Sequence, residues 1–124
     1  MAGELILIVE DNEKNRKLER DVLQAKGYRT IEAETGEDGV RLAKEHRPAL
    51  VLMDIQLPGI DGITALGQLR ADAGTRVIPV IAVTASVMTH DRQKIMAAGF
   101  DGYQSKPIRV KEFLQAVRAM LDRK

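Results

Sequence analysis

The sequence predicts an α/β fold, a doubly wound sheet of five parallel strands with helices on both faces. Short aliphatic runs alternate with longer stretches whose apolar residues recur every three or four positions, which indicates repeated strand–helix units. Strands joined through helices must run parallel, because a direct antiparallel return needs only a hairpin. Parallel sheets are buried on both faces, which suits runs as apolar as residues 5–9 and 50–53.

The strands are predicted from the aliphatic runs and, for the last strand, from a weaker segment. They cover residues 5–9, 28–33, 50–53, 80–83 and 102–105. The expected strand order is 2-1-3-4-5, that of flavodoxin-like sheets, which creates a crevice at the carboxyl ends of the first and third strands. Ligands should bind in that crevice. A chain of 124 residues has the size of one domain, and we expect residues 1–124 to form it.

The first helix is predicted over residues 13–26, and Gly27 stands where a left-handed residue is wanted after a helix. We expect this helix to bury Leu18, Val22 and Ala25 against the sheet. Its other faces are charged and should lie in solvent.

The remaining helices are predicted from caps and from apolar spacing. Thr35 should cap the second helix, which ends before Pro48. The third and fifth helices carry apolar residues at helical spacing: Ile63, Leu66 and Leu69 in the third, and Phe113, Val117 and Met120 in the fifth. The fourth, over residues 89–98, has no clean apolar stripe, although we expect Met88 and Met96 to lie in the core.

The composition excludes several classes of function. Lysine and arginine number 19 against 18 aspartates and glutamates, so the charge gives no reason to expect nucleic acid or an acidic membrane as partner. Without cysteine, neither disulfides nor thiolate metal sites can form. The longest aliphatic run, residues 5–9, is too short to span a membrane, and residues 1–4 do not resemble a signal peptide. We therefore expect a cytoplasmic protein.

Polar residues follow four of the predicted strands and should meet at one rim of the sheet. They are Glu10, Asp11, Asp54, Thr84 and Lys106. Taken singly, each could be an ordinary polar loop residue, and an acid at the start of a helix could simply cap it. Three carboxylates in one crevice, however, repel one another unless they are protonated or neutralised by a cation.

A hard divalent cation is the simplest way to neutralise this crevice. Carboxylates, a backbone carbonyl and water suit Mg²⁺, which prefers octahedral oxygen coordination and retains water that a phosphate-bearing substrate can replace. Zinc is disfavoured because the chain has no thiolate and because His46 and His90 fall outside the cluster.

Four motifs stand in order at the ends of these strands. They read VEDN at residues 9–12, MDIQLPGIDG at 53–62, VTA at 83–85 and SKP at 105–107. These look like the signatures of response-regulator receiver domains of two-component signalling, and the similarity covers essentially the whole chain. Within that family the sequence looks most like single-domain regulators of cell division and development, and receivers attached to hybrid kinases look similar.

The resemblance implies that Asp54 is a carboxylate nucleophile that takes a phosphoryl group from a phosphohistidine. It further implies that Asp11 and Asp54 bind Mg²⁺ directly, that the backbone carbonyl of Gln56 is a third ligand, and that Glu10 acts mostly through water. The domain would then assist its own phosphorylation and dephosphorylation without being an enzyme for other substrates. Catalysis would consist chiefly of positioning and electrostatics.

The resemblance also assigns the residues that respond to the phosphoryl group. Lys106 would contact a phosphoryl oxygen, and the peptide between Lys106 and Pro107 would be cis. Thr84 would donate its hydroxyl to the phosphoryl group, and Tyr103 would turn inward as Thr84 moves. The changed surface would be that of the fourth helix, the fifth strand and the fifth helix.

The partners implied by the resemblance are a histidine kinase or histidine phosphotransfer protein and a downstream target. The first would dock beside the first helix, with Asn15 and Leu18 as contacts. Because only 18 residues follow Lys106, we expect no effector domain. The protein should be a monomer or a weak dimer.

Three other functions share some of these features. Haloacid-dehalogenase-like phosphatases also combine a strand-end aspartate, a threonine or serine, a lysine and magnesium, but they place an acid two residues after the nucleophile, where this chain has Gln56. A flavin or nucleotide carrier would want a phosphate-binding first loop, but Glu10 and Asp11 are anionic and no P-loop motif occurs. A binding module that is never phosphorylated is the third alternative, although every expected site residue is present.

Overall fold

The computed structural model describes residues 3–85 and 89–122, with the backbone alone for residues 89–91. One parallel sheet crosses the described part of the chain. Its strands are β1 (Leu5–Val9), β2 (Arg29–Ala33), β3 (Leu50–Asp54), β4 (Val80–Thr84) and β5 (Gly102–Ser105). Their order is β2-β1-β3-β4-β5, and every neighbouring pair is parallel. The predicted fold class and strand order are therefore confirmed.

The helices that connect these strands begin and end close to the predicted residues. They are α1 (Glu13–Ala25), α2 (Gly36–His46), α3 (Gly62–Ala71), α4 (Thr89–Ala97) and α5 (Val110–Asp122). Asn12, Thr35 and Asp61 cap α1, α2 and α3 by accepting a backbone N–H three residues on, at 3.0, 3.1 and 2.8 Å. Gly27 takes the predicted left-handed conformation, with φ of 88°.

Two hydrophobic clusters cover the two faces of the sheet. Successive residues of β1 alternate between them, because side chains of a strand point to opposite faces. Leu7 and Val9 pack in the cluster that includes residues of α2 and α3. Ile6 and Ile8 pack in the cluster that includes residues of α1 and α5. The apolar residues predicted for the third and fifth helices all lie against these clusters, with Ile63 partly buried.

The prediction for the buried face of α1 was wrong. Leu18 is 40% exposed and Ala25 is also exposed, while Val22 is partly buried. The inward positions belong instead to Leu23 and to Glu19, which is 2% exposed. The sequence-based prediction placed every charged side chain of α1 in solvent. Because Glu19 is buried, the face of the helix that packs on the sheet differs from the predicted one.

Met96, expected in the core, is 40% exposed on α4, so that prediction was wrong as well. Among the α4 side chains that the structure describes, Ile95 is the buried one. The described part of α4 offers no other buried apolar residue beside which Met96 could pack, which agrees with the lack of a clean apolar face in its sequence. Met88 lies outside the described residues.

Candidate functional site

Two acidic residues follow β1, and the carboxylate of the first is buried while that of the second is exposed. Glu10 continues the ladder with β2, because its N–H donates to the Ala33 carbonyl at 3.0 Å. Its Oε2 accepts the N–H of Asn12 at 3.1 Å, which turns the side chain inward, and the residue is 1% exposed. Asp11 is exposed at the rim. We call residues 10–12 the acidic loop.

Asp54 is the last residue of β3, so its side chain is held by a buried strand. It is 5% exposed, and its Oδ1 accepts the N–H of Gln56 at 3.2 Å. The chain then returns to start α3 directly beside this strand end, where the N–H of Gly62 donates to the Ile55 carbonyl at 2.9 Å. A Cβ on Gly62 would collide with the Asp54 carbonyl oxygen, so the close approach requires glycine.

Lys106 brings a cation to both buried acids. Its Nζ lies 2.5 Å from Oε1 of Glu10 and donates to Oδ2 of Asp54 at 3.0 Å. Its backbone N–H donates to the carbonyl of Thr84, the last residue of β4, at 2.8 Å. The Lys106–Pro107 peptide bond is cis, as expected. Side chains from the carboxyl ends of β1, β3 and β5 therefore meet at the Lys106 ammonium, and a backbone hydrogen bond ties Lys106 to the end of β4.

Burial and like charge disturb the ionisation of this cluster. Burial raises the pKa of Glu10 to about 7, against the opposing effect of its contacts with Lys106 and the Asn12 N–H, and the charge of Asp54 raises it further. For Lys106, burial alone would lower the pKa, but the contacts with Glu10 and Asp54 outweigh it and raise the pKa above its ordinary value. One lysine thus faces an excess of negative charge.

The three carboxylates fit a divalent cation. One oxygen from each of Glu10, Asp11 and Asp54 lies within 4.8 Å of the others. All are oxygen donors, and the exposed position of Asp11 leaves room for bound water, as Mg²⁺ prefers. Gln56, expected to contribute its carbonyl, lies at the same rim through its bond to Asp54.

Thr84 and Tyr103 lie on the two neighbouring strands beside the site. Thr84 is 1% exposed and stands opposite Ser105 in the pairing of β4 with β5. Tyr103 is partly buried and packs against the cluster on the α2 and α3 face. The guanidinium of Arg92 on α4 lies 5.4 Å from the centre of its ring. A cavity of about 200 Å³ between the β3–α3 loop and α4 is lined by Thr84.

The expected docking residues lie on α1. Asn15 is partly buried in its first turn, where its N–H completes the cap on Asn12, and Leu18 is on the surface rather than in the core. Two further residues of this helix were missed by the sequence analysis. Arg16 contacts the backbone of the acidic loop, and Glu19 is buried on the face of α1 that packs on the core. The spacing of Glu19 four residues before Leu23 puts both on one helix face and was the available signal.

The fold and the strand-end cluster are those of a receiver domain of two-component signalling. The chain belongs to the response regulator receiver domain family, which it matches over residues 6–118. Receiver domains of this family act between histidine kinases and downstream targets and do not form a conventional enzyme family.

Among curated relatives, the chain is similar to the polar-differentiation response regulators DivK of Brucella anthropi and Brucella abortus. Each is 47% identical over 116 residues, which cover 94% of this chain and 94% of the relative. These relatives agree with the predicted likeness to single-domain regulators of development.

Solved receiver structures have the same fold. The receiver domain of the sensor histidine kinase PA1611 from Pseudomonas aeruginosa PAO1, solved with a magnesium ion in its active-site cleft, is 35% identical with a TM-score of 0.90, over 97% of this chain and 98% of that one. The receiver domain of a signal transduction histidine kinase from Syntrophus aciditrophicus is 28% identical with a TM-score of 0.89, over 98% of this chain and 95% of that one.

None of the helices in the described residues has both the length and the apolar character that a membrane span requires.

Proposed function

We propose that Asp54 accepts a phosphoryl group from the phosphohistidine of a histidine kinase or histidine phosphotransfer protein, and that a downstream target distinguishes the two states. The observation that carries this proposal is the position of Asp54. Its carboxylate ends a buried strand, lies 3.0 Å from the Lys106 ammonium and shares the crevice with Glu10 and Asp11. No other aspartate of the described residues combines these neighbours.

In the transfer, a carboxylate oxygen of Asp54 forms a bond to phosphorus while the bond from phosphorus to the donor imidazole nitrogen breaks. The bonding electrons leave with the imidazole, which then takes up a proton. Mg²⁺ would be held by Asp11, Asp54 and the Gln56 carbonyl, with Glu10 acting through water, and would offset the charge that builds up as two anionic groups meet. The chain's own task is to hold the Asp54 carboxylate still, and the Gln56 N–H and Lys106 do this.

Lys106 supplies the second positive charge. It already binds both buried acids, so it needs only to exchange one carboxylate contact for a phosphoryl oxygen. A well-formed charge-assisted contact of this kind contributes about 1.5–3 kcal/mol. Thr84 would donate its hydroxyl to the same group from the adjoining strand end.

The phosphorylated state would be read out on the surface of α4, β5 and α5. Thr84 lines the cavity beside α4, and Tyr103 lies in the strand between the two helices. Of the α4 side chains that the structure describes, Ile95 alone is buried. A shift of this helix would therefore disturb little apolar packing and cost little free energy. The phosphoryl contacts of Thr84 and Lys106 would supply the free-energy difference between the two states that such a shift requires.

We further infer that the protein works in the cytoplasm as a monomer or a weak dimer. The lack of cysteine suits a reducing compartment. The large hydrophobic residues exposed in the described chain belong to different segments: Leu18 to α1, Val77 to the residues before β4, Met96 to α4 and Val110 to the start of α5. Light scattering across a concentration series would test the assembly state.

Phosphorylation is tested by incubation with acetyl phosphate and Mg²⁺ followed by intact mass measurement. The wild type should gain one phosphoryl group, Asp54→Asn should gain none, and chelation of Mg²⁺ should prevent the gain without unfolding the protein. Asp38→Asn, an exposed aspartate on α2, is the matched control and should be labelled like the wild type. Labelling of Asp54→Asn at the wild-type rate would refute the proposal.

The same experiment separates the rival functions. A phosphatase of the haloacid-dehalogenase type would release inorganic phosphate continuously in multiple turnovers from added phosphoesters, and a binding module would show no mass change at all. A receiver should be labelled on one site per molecule and should not turn over added phosphoesters.

A further inference from the structure

Arg16 crosses from the first turn of α1 to the backbone of the acidic loop. Its Nη1 donates to the Glu10 carbonyl at 3.0 Å and lies 3.5 Å from the Asp11 carbonyl oxygen. The side chain is only 15% exposed, so these contacts form in a sheltered position and not on a solvated helix face. Arg16 therefore touches the two residues that supply acids to the crevice, but on their main chain and not on their carboxylates.

The guanidinium is itself held in place from β2. Its Nε donates to Oε1 of Glu32 at 3.1 Å, and Oε1 of Glu34 lies 3.9 Å from Nη1. Glu32 is fixed in turn by Arg20, whose Nη1 contacts both of its oxygens at 3.1 Å. A guanidinium is planar and presents its donors in a fixed fork, so orienting one edge on Glu32 aims the other at the loop.

The acidic loop needs such support because neighbouring carboxylates must point in different directions. Glu10 turns inward to Lys106, whereas Asp11 stays at the exposed rim. The strand pairing of β1 with β2 ends at the Glu10 N–H, so the peptide between Glu10 and Asp11 lies beyond the ladder. The bond from Arg16 fixes that peptide, and with it the direction in which the Asp11 carboxylate leaves the main chain.

We propose that Arg16 is a positioning residue for the divalent-cation site, holding the acidic loop so that Glu10 and Asp11 face the ion together with Asp54. The inference rests on the proposed function only in so far as Mg²⁺ binds at this cluster. If Arg16 positions the loop, removing its guanidinium should weaken Mg²⁺ binding, whereas removing its charge should strengthen it. A positive side chain near a cation site weakens cation binding by repulsion, so losing it should tighten binding if charge alone mattered.

The experiment measures Mg²⁺ affinity by titration calorimetry, without any phosphoryl donor. Arg16→Met retains the aliphatic stem and loses the donors, and it should bind Mg²⁺ about 10-fold more weakly, the lower end of what losing a supporting contact around a metal site costs. Arg16→Lys retains the charge but not the planar fork, and it should also bind more weakly than the wild type.

Arg20→Met is the matched control. It removes one positive charge from the same helix and a contact to the same Glu32, whereas the contacts of Arg20 in the described part of the chain go to Glu32 and Asp21 and not to the acidic loop. Its Mg²⁺ affinity should fall much less than that of Arg16→Met, because Arg16 keeps its own contacts with Glu32 and with the acidic loop. Amide exchange at residues 11 and 12 should quicken in Arg16→Met and not in Arg20→Met, which a general loss of stability would not produce.

Four results would overturn the inference. Equal or tighter Mg²⁺ binding in Arg16→Met would make Arg16 a charge and not a positioning residue. Equal weakening in Arg20→Met would assign the effect to the Glu32 contacts on α1. If Arg16→Met does not fold, wild-type affinity in Arg16→Lys would overturn the inference in its place. Absence of Mg²⁺ binding in the wild type would overturn both this inference and the proposed function, whereas the first two results leave the proposed function standing.

Discussion

The buried carboxyl of Glu19 should make the stability of the protein depend on pH. The side chain is 2% exposed in the core side of α1. Burial raises its pKa from an ordinary value of 4.5 to about 8, and the negative charge of Glu10 adds to the rise while Lys106 opposes it. Neither the proposed phosphoryl transfer nor the cation site uses this group. Its cost to stability can therefore be measured without disturbing either.

The sign follows from where the proton is held. Between pH 4.5 and 8 the folded protein retains a proton that the unfolded chain has released, so the free energy of unfolding falls as the pH rises through that window. Each pH unit corresponds to about 1.4 kcal/mol, so the loss between pH 4.5 and pH 7 amounts to about 3 kcal/mol. Above the folded-state pKa the cost stays constant, because both states are then ionised.

Glu19→Gln removes the ionisation and retains the size of the side chain. Urea unfolding at pH 5, 6, 7 and 8 should show that the variant gains on the wild type by about 1.4 kcal/mol per pH unit, up to pH 8. Taking the difference between the two proteins removes the part of the Glu10 contribution that does not depend on Glu19, which has the same sign. Glu13→Gln, exposed on the same helix, should track the wild type. Parallel wild-type and Glu19→Gln curves would refute the reasoning.

Two further predictions concern contacts elsewhere in the fold. Gly62→Ala should lower both the free energy of unfolding and the rate of labelling by acetyl phosphate, because its methyl group would collide with the Asp54 carbonyl oxygen; unchanged labelling would show that the loop yields freely. Arg118→Met should lower the midpoint of urea unfolding slightly at pH 7, since it loses a 2.9 Å ion pair to Glu4 and a 3.2 Å hydrogen bond to the Tyr28 hydroxyl. The hydrogen bond from Arg118 lowers the pKa of Glu4, so this difference should shrink below pH 4.5, and a difference that persists there would come from the Tyr28 hydrogen bond and from packing.

The position of the candidate site could be predicted from the sequence because it follows from strand polarity. In a parallel sheet every carboxyl end lies on one edge, so residues that follow the aliphatic runs must meet there whatever the helices do. Asp54 and Thr84 prove to be the final residues of β3 and β4, one position deeper than predicted. This holds their side chains more firmly than a loop would.

The orientation of α1 could not be predicted in the same way. Apolar spacing cannot recognise a helix face on which one inward position is a carboxyl, and Glu19 occupies such a position. The orientation of the Arg16 side chain also could not be predicted from local sequence, because it depends on Glu32 in β2 and on the main-chain carbonyl of Glu10. In both cases a charged residue takes a role that is set by tertiary contacts.

The hydrogen bond from the Lys106 N–H to the Thr84 carbonyl, 2.8 Å long, joins the main chains of two residues whose side chains approach the same crevice. A displacement of either backbone must carry the other along or break this bond. The backbones that carry the hydroxyl and the ammonium are thus coupled at this end of β4 and β5. A ligand that displaced the backbone at only one of these residues would have to stretch this hydrogen bond, so backbone movement at one strand end is passed on to the other.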